Sequence, residues 1–192
     1  VPHKTTLLSN QTKQVALLSA NKIGVRKTYE LDNVFPLYAD RAEKVKPQIY
    51  LTFENSEENQ LGMPLPKGIV RLYKQDSNGK TQFVGEDKID HTADNETVRL
   101  KMGEAFNVTG EMKRISYNKV SDKIITASFE ITLKNGADAP TEVDIKQNFP
   151  NGFKIMEQSL NGEKITSNQM KWRVQVPAKG KGSLTYKVRW GE

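Results

Sequence analysis

Hydrophobic and polar residues alternate with a period of two along most of this chain. That repeat sends successive side chains to opposite faces of a β-strand. From Ile125 one face reads Ile125, Ala127, Phe129, Ile131 and Leu133, and the other reads Thr126, Ser128, Glu130 and Thr132. The pattern predicts a half-buried strand, which Asn135-Gly136 breaks as a turn dipeptide. Val143, Ile145, Gln147 and Phe149 alternate likewise with Glu142, Asp144, Lys146 and Asn148, and Pro150-Asn151-Gly152 ends that strand. Asn161-Gly162 marks another turn, between strand segments at 155–160 and 164–166. Met170, Trp172, Val174 and Val176 share one face, and Leu184, Tyr186, Val188 and Trp190 share another. Residues 177–182 between them read as the connector of a hairpin, and both tryptophans are predicted to lie in the core.

The first part of the chain is β-rich but less regular. Val25, Lys27, Tyr29 and Leu31 alternate with Arg26, Thr28 and Glu30. Ile49, Leu51 and Phe53 make one strand face, and Val98, Leu100 and Met102 another. The segments 69–73 and 81–84 flank Asp76-Ser77-Asn78-Gly79, a hairpin signal. Residues 33–47 read as a loop or as a short helix near 40–44, and residues 54–66 as a loop. Helical periodicity is nowhere sustained. The expected fold is all-β, an antiparallel β-sandwich architecture with an immunoglobulin-like C-terminal part. The expected division is an N-terminal β domain at 1–109 and an immunoglobulin-like sandwich at 110–192.

Composition narrows the chemistry. The chain has no cysteine, so disulfides, thiol catalysis and cysteine metal sites are excluded. It has two histidines, His3 and His91, which excludes a histidine-rich metal site. No apolar run approaches the ~20 residues that a membrane-spanning helix needs. Val1-Pro2-His3-Lys4 lacks the basic-then-apolar pattern of a signal segment, and the chain is expected to be a piece cut from a longer protein. The net charge of +6 is unevenly placed. Residues 1–109 carry 15 basic and 14 acidic groups, whereas residues 110–192 carry 14 and 9. Such a surplus solubilises a β surface or attracts an anionic partner.

Two strings stand out. Residues 61–68, LGMPLPKG, contain two prolines that fix φ and remove two donors, so they predict a rigid approach to a strand rather than a proline-rich ligand. Residues 85–92, GEDKIDHT, gather three carboxylates and His91, where a hydrolase or metal site would have to sit. Their spacing matches no calcium loop, and His91 has no second histidine or cysteine beside it. A solvated, charged turn is the expectation. The signatures GxSxG, GxGxxG, HExxH and the phosphate-binding loop are missing.

In combination, several strings resemble the C-terminal region of the bacterial mucoidy inhibitor A-like family. They are LLSNQTKQVALL at 7–18, LGMPLPKGIVRLY at 61–73, VGEDKIDHT at 84–92, LKMGEAFNVTGE at 100–111 and LTYKVRW at 184–190. The resemblance covers most of the chain. It implies an upstream N-terminal domain, a coiled-coil segment and an extracytoplasmic setting in the periplasm or cell envelope. It carries over no catalytic residue, because the region has no assigned activity.

The leading functional expectation is a non-enzymatic structural or protein-interaction module of an envelope-associated protein, without cofactor. Its partner would be another protein or the upstream part of the same chain. The alternative is an anion- or glycan-binding module. Strand alternation sends Lys171, Arg173, Lys187 and Arg189 outward, and on adjacent strands of one hairpin they would form a basic face for an anionic polymer. Glu142 and Asp144, outward on their own strand, are the expected internal partners if that strand lies beside the hairpin. A hydrolase or metal site around His91 stands third. Nucleic acid is not an expected partner, because the basic residues do not interleave with an aromatic platform.

Overall fold

The computed structural model describes residues 9–10, 12, 18–33, 42–76 and 78–191. Of the strings above, most of 7–18 lies outside the described residues, as do His3 and most of the 33–47 stretch. The described residues form thirteen strands and no helix. The first six are β1 (Arg26–Asp32), β2 (Glu43–Val45), β3 (Gln48–Glu54), β4 (Gly68–Gln75), β5 (Thr81–Ile89) and β6 (Thr97–Glu104). The others are β7 (Val108–Lys119), β8 (Ile125–Asn135), β9 (Thr141–Asn148), β10 (Lys154–Gln158), β11 (Glu163–Thr166), β12 (Gln169–Val176) and β13 (Lys181–Trp190). Of the stretch read as a loop or as a short helix near 40–44, residues 40 and 41 lie outside the described residues, and 43–45 form β2, which pairs with β7.

The strands build a β-sandwich. One sheet has the order β11-β12-β9-β1-β3-β6 and the other β10-β13-β8-β7-β2, while β4 and β5 form a separate two-stranded ribbon. All pairings are antiparallel except β1 with β9. The boundary expected between residues 109 and 110 falls inside β7, and both large sheets take strands from either side of it. β1 hydrogen-bonds to β9, and β2 to β7. Alternation marks each strand but not its neighbour, so this interleaving of the two halves was invisible in the pattern.

The main core lies between the two sheets. Phe129, Ile131 and Leu133 of β8 and Leu184, Tyr186 and Val188 of β13 face Val143 and Ile145 of β9 and Trp172 and Val174 of β12, all buried. Trp172 stacks on Tyr186 across the layers, with ring centroids 4.8 Å apart. Trp190 is buried as well, so both tryptophans occupy the core as the alternation predicts. Burying each large ring withdraws ~150–250 Å² from water, which makes this cluster the main cohesive feature of the sandwich.

A second core covers the β3–β6 end of the same inner sheet face. Val98, Leu100 and Met102 of β6 and Leu51 and Phe53 of β3 are roofed by Leu65, Val70, Leu72 and Ile89, so the ribbon takes the place of the second sheet here. Ile49 belongs to both cores and joins them. The fully buried Asn55 fastens the loop before the ribbon, its Nδ2 donating to the carbonyls of Met63 and Ala93, each at 2.8 Å. The ribbon is closed as its sequence suggests. Asp76 Oδ1 accepts from the backbone N–H groups of Asn78 and Lys80, both at 2.9 Å, and Gly79 takes a φ of +76° that L side chains disfavour.

Candidate functional site

Strand alternation does send Lys171, Arg173, Lys187 and Arg189 away from the core, but the four do not share a face. β12 belongs to the six-stranded sheet and β13 to the five-stranded one. Residues 177–180 therefore carry the chain from one layer to the other rather than closing a hairpin within a sheet. The physical reason lies in the inner faces of the two strands. Both are fully apolar, and they bury each other across the sandwich, which side-by-side pairing would not allow.

Three of the four cations are compensated inside the chain. β9 lies beside β12, with Arg173 opposite Asp144. Arg173 Nε and Nη2 donate to Asp144 Oδ1 and Oδ2 at 2.7 and 3.1 Å, and Glu142 Oε2 lies 3.7 Å from Nε. The hydrogen bonds and charge of Asp144 raise the Arg173 pKa further. Lys171 pairs with Glu163 at 2.6 Å, and Lys187 with Glu157 at 3.1 Å. Arg189 stands opposite Lys154 and has no acidic partner among the described residues.

The same outer face of the six-stranded sheet holds a charge cluster that no local pattern announces. Glu30 of β1 is only 7% exposed and receives Lys146 Nζ at 2.6 Å and Arg99 Nη2 at 2.8 Å. Burial pushes the Glu30 carboxyl up, but the hydrogen bonds and charges of Lys146 and Arg99 outweigh it and hold the group below its ordinary range. The Arg99 guanidinium also lies 3.4 Å over the Tyr50 ring. Every charge here is satisfied, so the cluster ties β9, β1, β3 and β6 together and offers an incoming ligand little.

His91 is exposed on the segment after β5, where its Nδ1 accepts the backbone N–H of Lys67 at 3.3 Å. Asp90 pairs with Lys67 at 3.1 Å, Glu86 with Arg71 at 3.0 Å, and Asp87 Oδ2 accepts from the Lys101 backbone N–H at 2.7 Å. The three carboxylates of the GEDKIDHT string are thus spent in three directions and do not converge on His91. Among the described residues no group of three or more His, Asp or Glu side chains is placed to hold a metal ion. Nor, among them, is any helix long and apolar enough to cross a membrane.

The ribbon gathers several exposed large apolar residues on one small element. Its inner face, Val70 and Leu72, packs on the second core. On the strand positions between them it presents Ile69, Arg71 and Tyr73, with Ile69 and Tyr73 51% and 54% exposed. Tyr73 stands opposite Phe83, itself 56% exposed, and the rings meet edge to face with centroids 5.7 Å apart. A register shift at Leu72/Tyr73 leaves Val84 unmatched, which turns Phe83 to the side of Tyr73. The adjacent apolar residues Phe83-Val84 were the available sequence signal, since strict alternation cannot seat two neighbours on one face. A scan against protein-family models, a search of curated proteins and a search of solved structures each found no match.

Proposed function

We propose that the protein is a non-enzymatic protein-interaction module that presents the outer face of the β4–β5 ribbon to its partner. One observation carries this reading. Ile69, Tyr73 and Phe83 hold a half-exposed apolar stripe on a ribbon whose other face is fixed to the core. Large apolar side chains gathered on one small element favour a protein surface over a solvated one. The rest of the molecule supports the reading by contrast, because the sheet-face charges are largely neutralised within the chain. The partner is another protein or an upstream segment of the same polypeptide. The bacterial-envelope setting implied by the family resemblance belongs to this proposal.

A photo-crosslinking amino acid in place of Phe83 tests it, with the same group in place of exposed Lys113 as control. The expected result is a discrete adduct from position 83, identified by mass spectrometry and absent from position 113. Identical diffuse labelling from both positions would remove the ribbon from consideration.

A further inference from the structure

Part of the basic surplus of the C-terminal half gathers at one end of the sandwich. Lys134 of β8 and Lys181 of β13 are direct cross-strand neighbours, and Thr109 of β7 continues the row. Neither lysine has an acidic partner among the described residues. Like charges directly opposite repel, so the ladder holds them together at a cost that an anion between them would relieve. Of the nearby charged groups, Lys179 contacts Asp138 at 3.2 Å, Lys46 lies 3.9 Å from Glu104, and Glu111 stands opposite Lys44. The excess therefore rests on Lys134 and Lys181.

Beside them the β6–β7 turn holds out Phe106, which is 95% exposed. The backbone on either side of the ring is held in place by its neighbours. Ala105 and Val108 on either side are buried, the Ala105 N–H donates to the Pro47 carbonyl at 2.8 Å, and the Asn107 carbonyl accepts from Gly136 N–H at 2.7 Å. Asn135, buried behind the lysines, donates from Nδ2 to the Ala139 carbonyl at 2.8 Å and to the Pro177 carbonyl at 3.2 Å. Three turns are thereby locked together around a recess of about 380 Å³ bordered by Phe106, Thr109, Lys134, Lys179 and Lys181. Little ordering remains to be done on binding.

We propose that this end of the sandwich docks on an anionic phospholipid surface. A headgroup phosphate sits between Lys134 and Lys181, and the Phe106 ring enters the interfacial region. A soluble anion would satisfy the lysines and leave the ring in water. A membrane surface satisfies both, because cations at its surface and an aromatic at the headgroup level are each favourable there.

Co-sedimentation with vesicles of phosphatidylcholine alone or mixed with phosphatidylglycerol tests the proposal. Binding is expected to require phosphatidylglycerol and to weaken with salt. Each lysine changed to serine should weaken it about fivefold, and Phe106→Ser about tenfold, with no melting temperature lowered. The pair Lys154→Ser/Arg189→Ser removes another in-register cationic pair and should leave binding intact. Equal losses from that pair and from Lys134→Ser/Lys181→Ser, which removes the same charge from the recess, would reduce the effect to net charge and overturn the proposal. So would vesicle binding indifferent to phosphatidylglycerol. Competition by inorganic phosphate with Phe106→Ser silent would assign the recess to soluble anions and overturn the membrane.

Discussion

Arg173 and Asp144 face each other across the β9–β12 ladder in a two-pronged pair, Nε to Oδ1 at 2.7 Å and Nη2 to Oδ2 at 3.1 Å. The pair bridges two strands whose inner residues make up much of one core wall. Both partners lie on the outer face, so solvent weakens the attraction. A double-mutant cycle with Arg173→Ala and Asp144→Ala should give a coupling of about 0.5–1 kcal/mol. Zero coupling would mean the pair is a bystander.

Trp172 and Gly162 form a second coupled pair. A Cβ on Gly162 would sit 2.7 Å from Trp172 Cδ1 and 2.8 Å from Cε2, and the indole N–H donates to Gln158 Oε1 at 2.9 Å. Trp172→Ala should cost about 3–5 kcal/mol. Gly162→Ala should be clearly destabilising in the natural chain and nearly silent beside Trp172→Ala. Denaturant unfolding of the four proteins measures this, and a full Gly162→Ala penalty in both backgrounds would refute the contact.

Glu30 gives a pH dependence of known sign. Its folded pKa is held below the ordinary carboxylate value by Lys146 and Arg99 despite burial. Its stabilising contribution is therefore complete above the unfolded pKa and lost as pH falls through the folded one. Glu30→Gln should lose stability at neutral pH and show a flatter decline into acid. Melting temperatures from neutral to acid pH provide the test. Parallel curves would show that Glu30 titrates alike in both states.

Most individual strands were legible in the sequence, because the period of two survives wherever one face is buried and the other wet. Ile125 through Leu133 and Met170 through Val176 are the clearest cases. Strand partners were not legible. Nothing local says that Leu31 of β1 lies in register with Ile145 of β9, or that β12 and β13 belong to different layers. That gap split the supposed basic face of Lys171, Arg173, Lys187 and Arg189 between two sheets. The Glu30–Lys146–Arg99 cluster escaped for the same reason, since its members come from three distant strands. Phe106 has no local signal in the sequence, because exposure in a turn leaves no periodic mark.

The ribbon is seated through Gly85. A Cβ there would lie 2.7 Å from the Met102 carbonyl oxygen, a backbone atom that cannot swing aside. Gly85→Val should loosen β4 and β5 while leaving the main core intact. Hydrogen exchange should show lost protection in residues 68–89 and unchanged protection in β8 and β13. Loss spread evenly over the chain would mean the two cores unfold as one.

The central claim is that the exposed rings of the ribbon serve recognition rather than stability. Thermal unfolding of the Tyr73→Ser/Phe83→Ser protein tests it most directly. The rings' mutual contact is worth about 0.5–1.5 kcal/mol, so the melting temperature should fall by no more than about 6 °C. A fall as large as that of Trp172→Ala would place these rings among the structural residues and contradict the account.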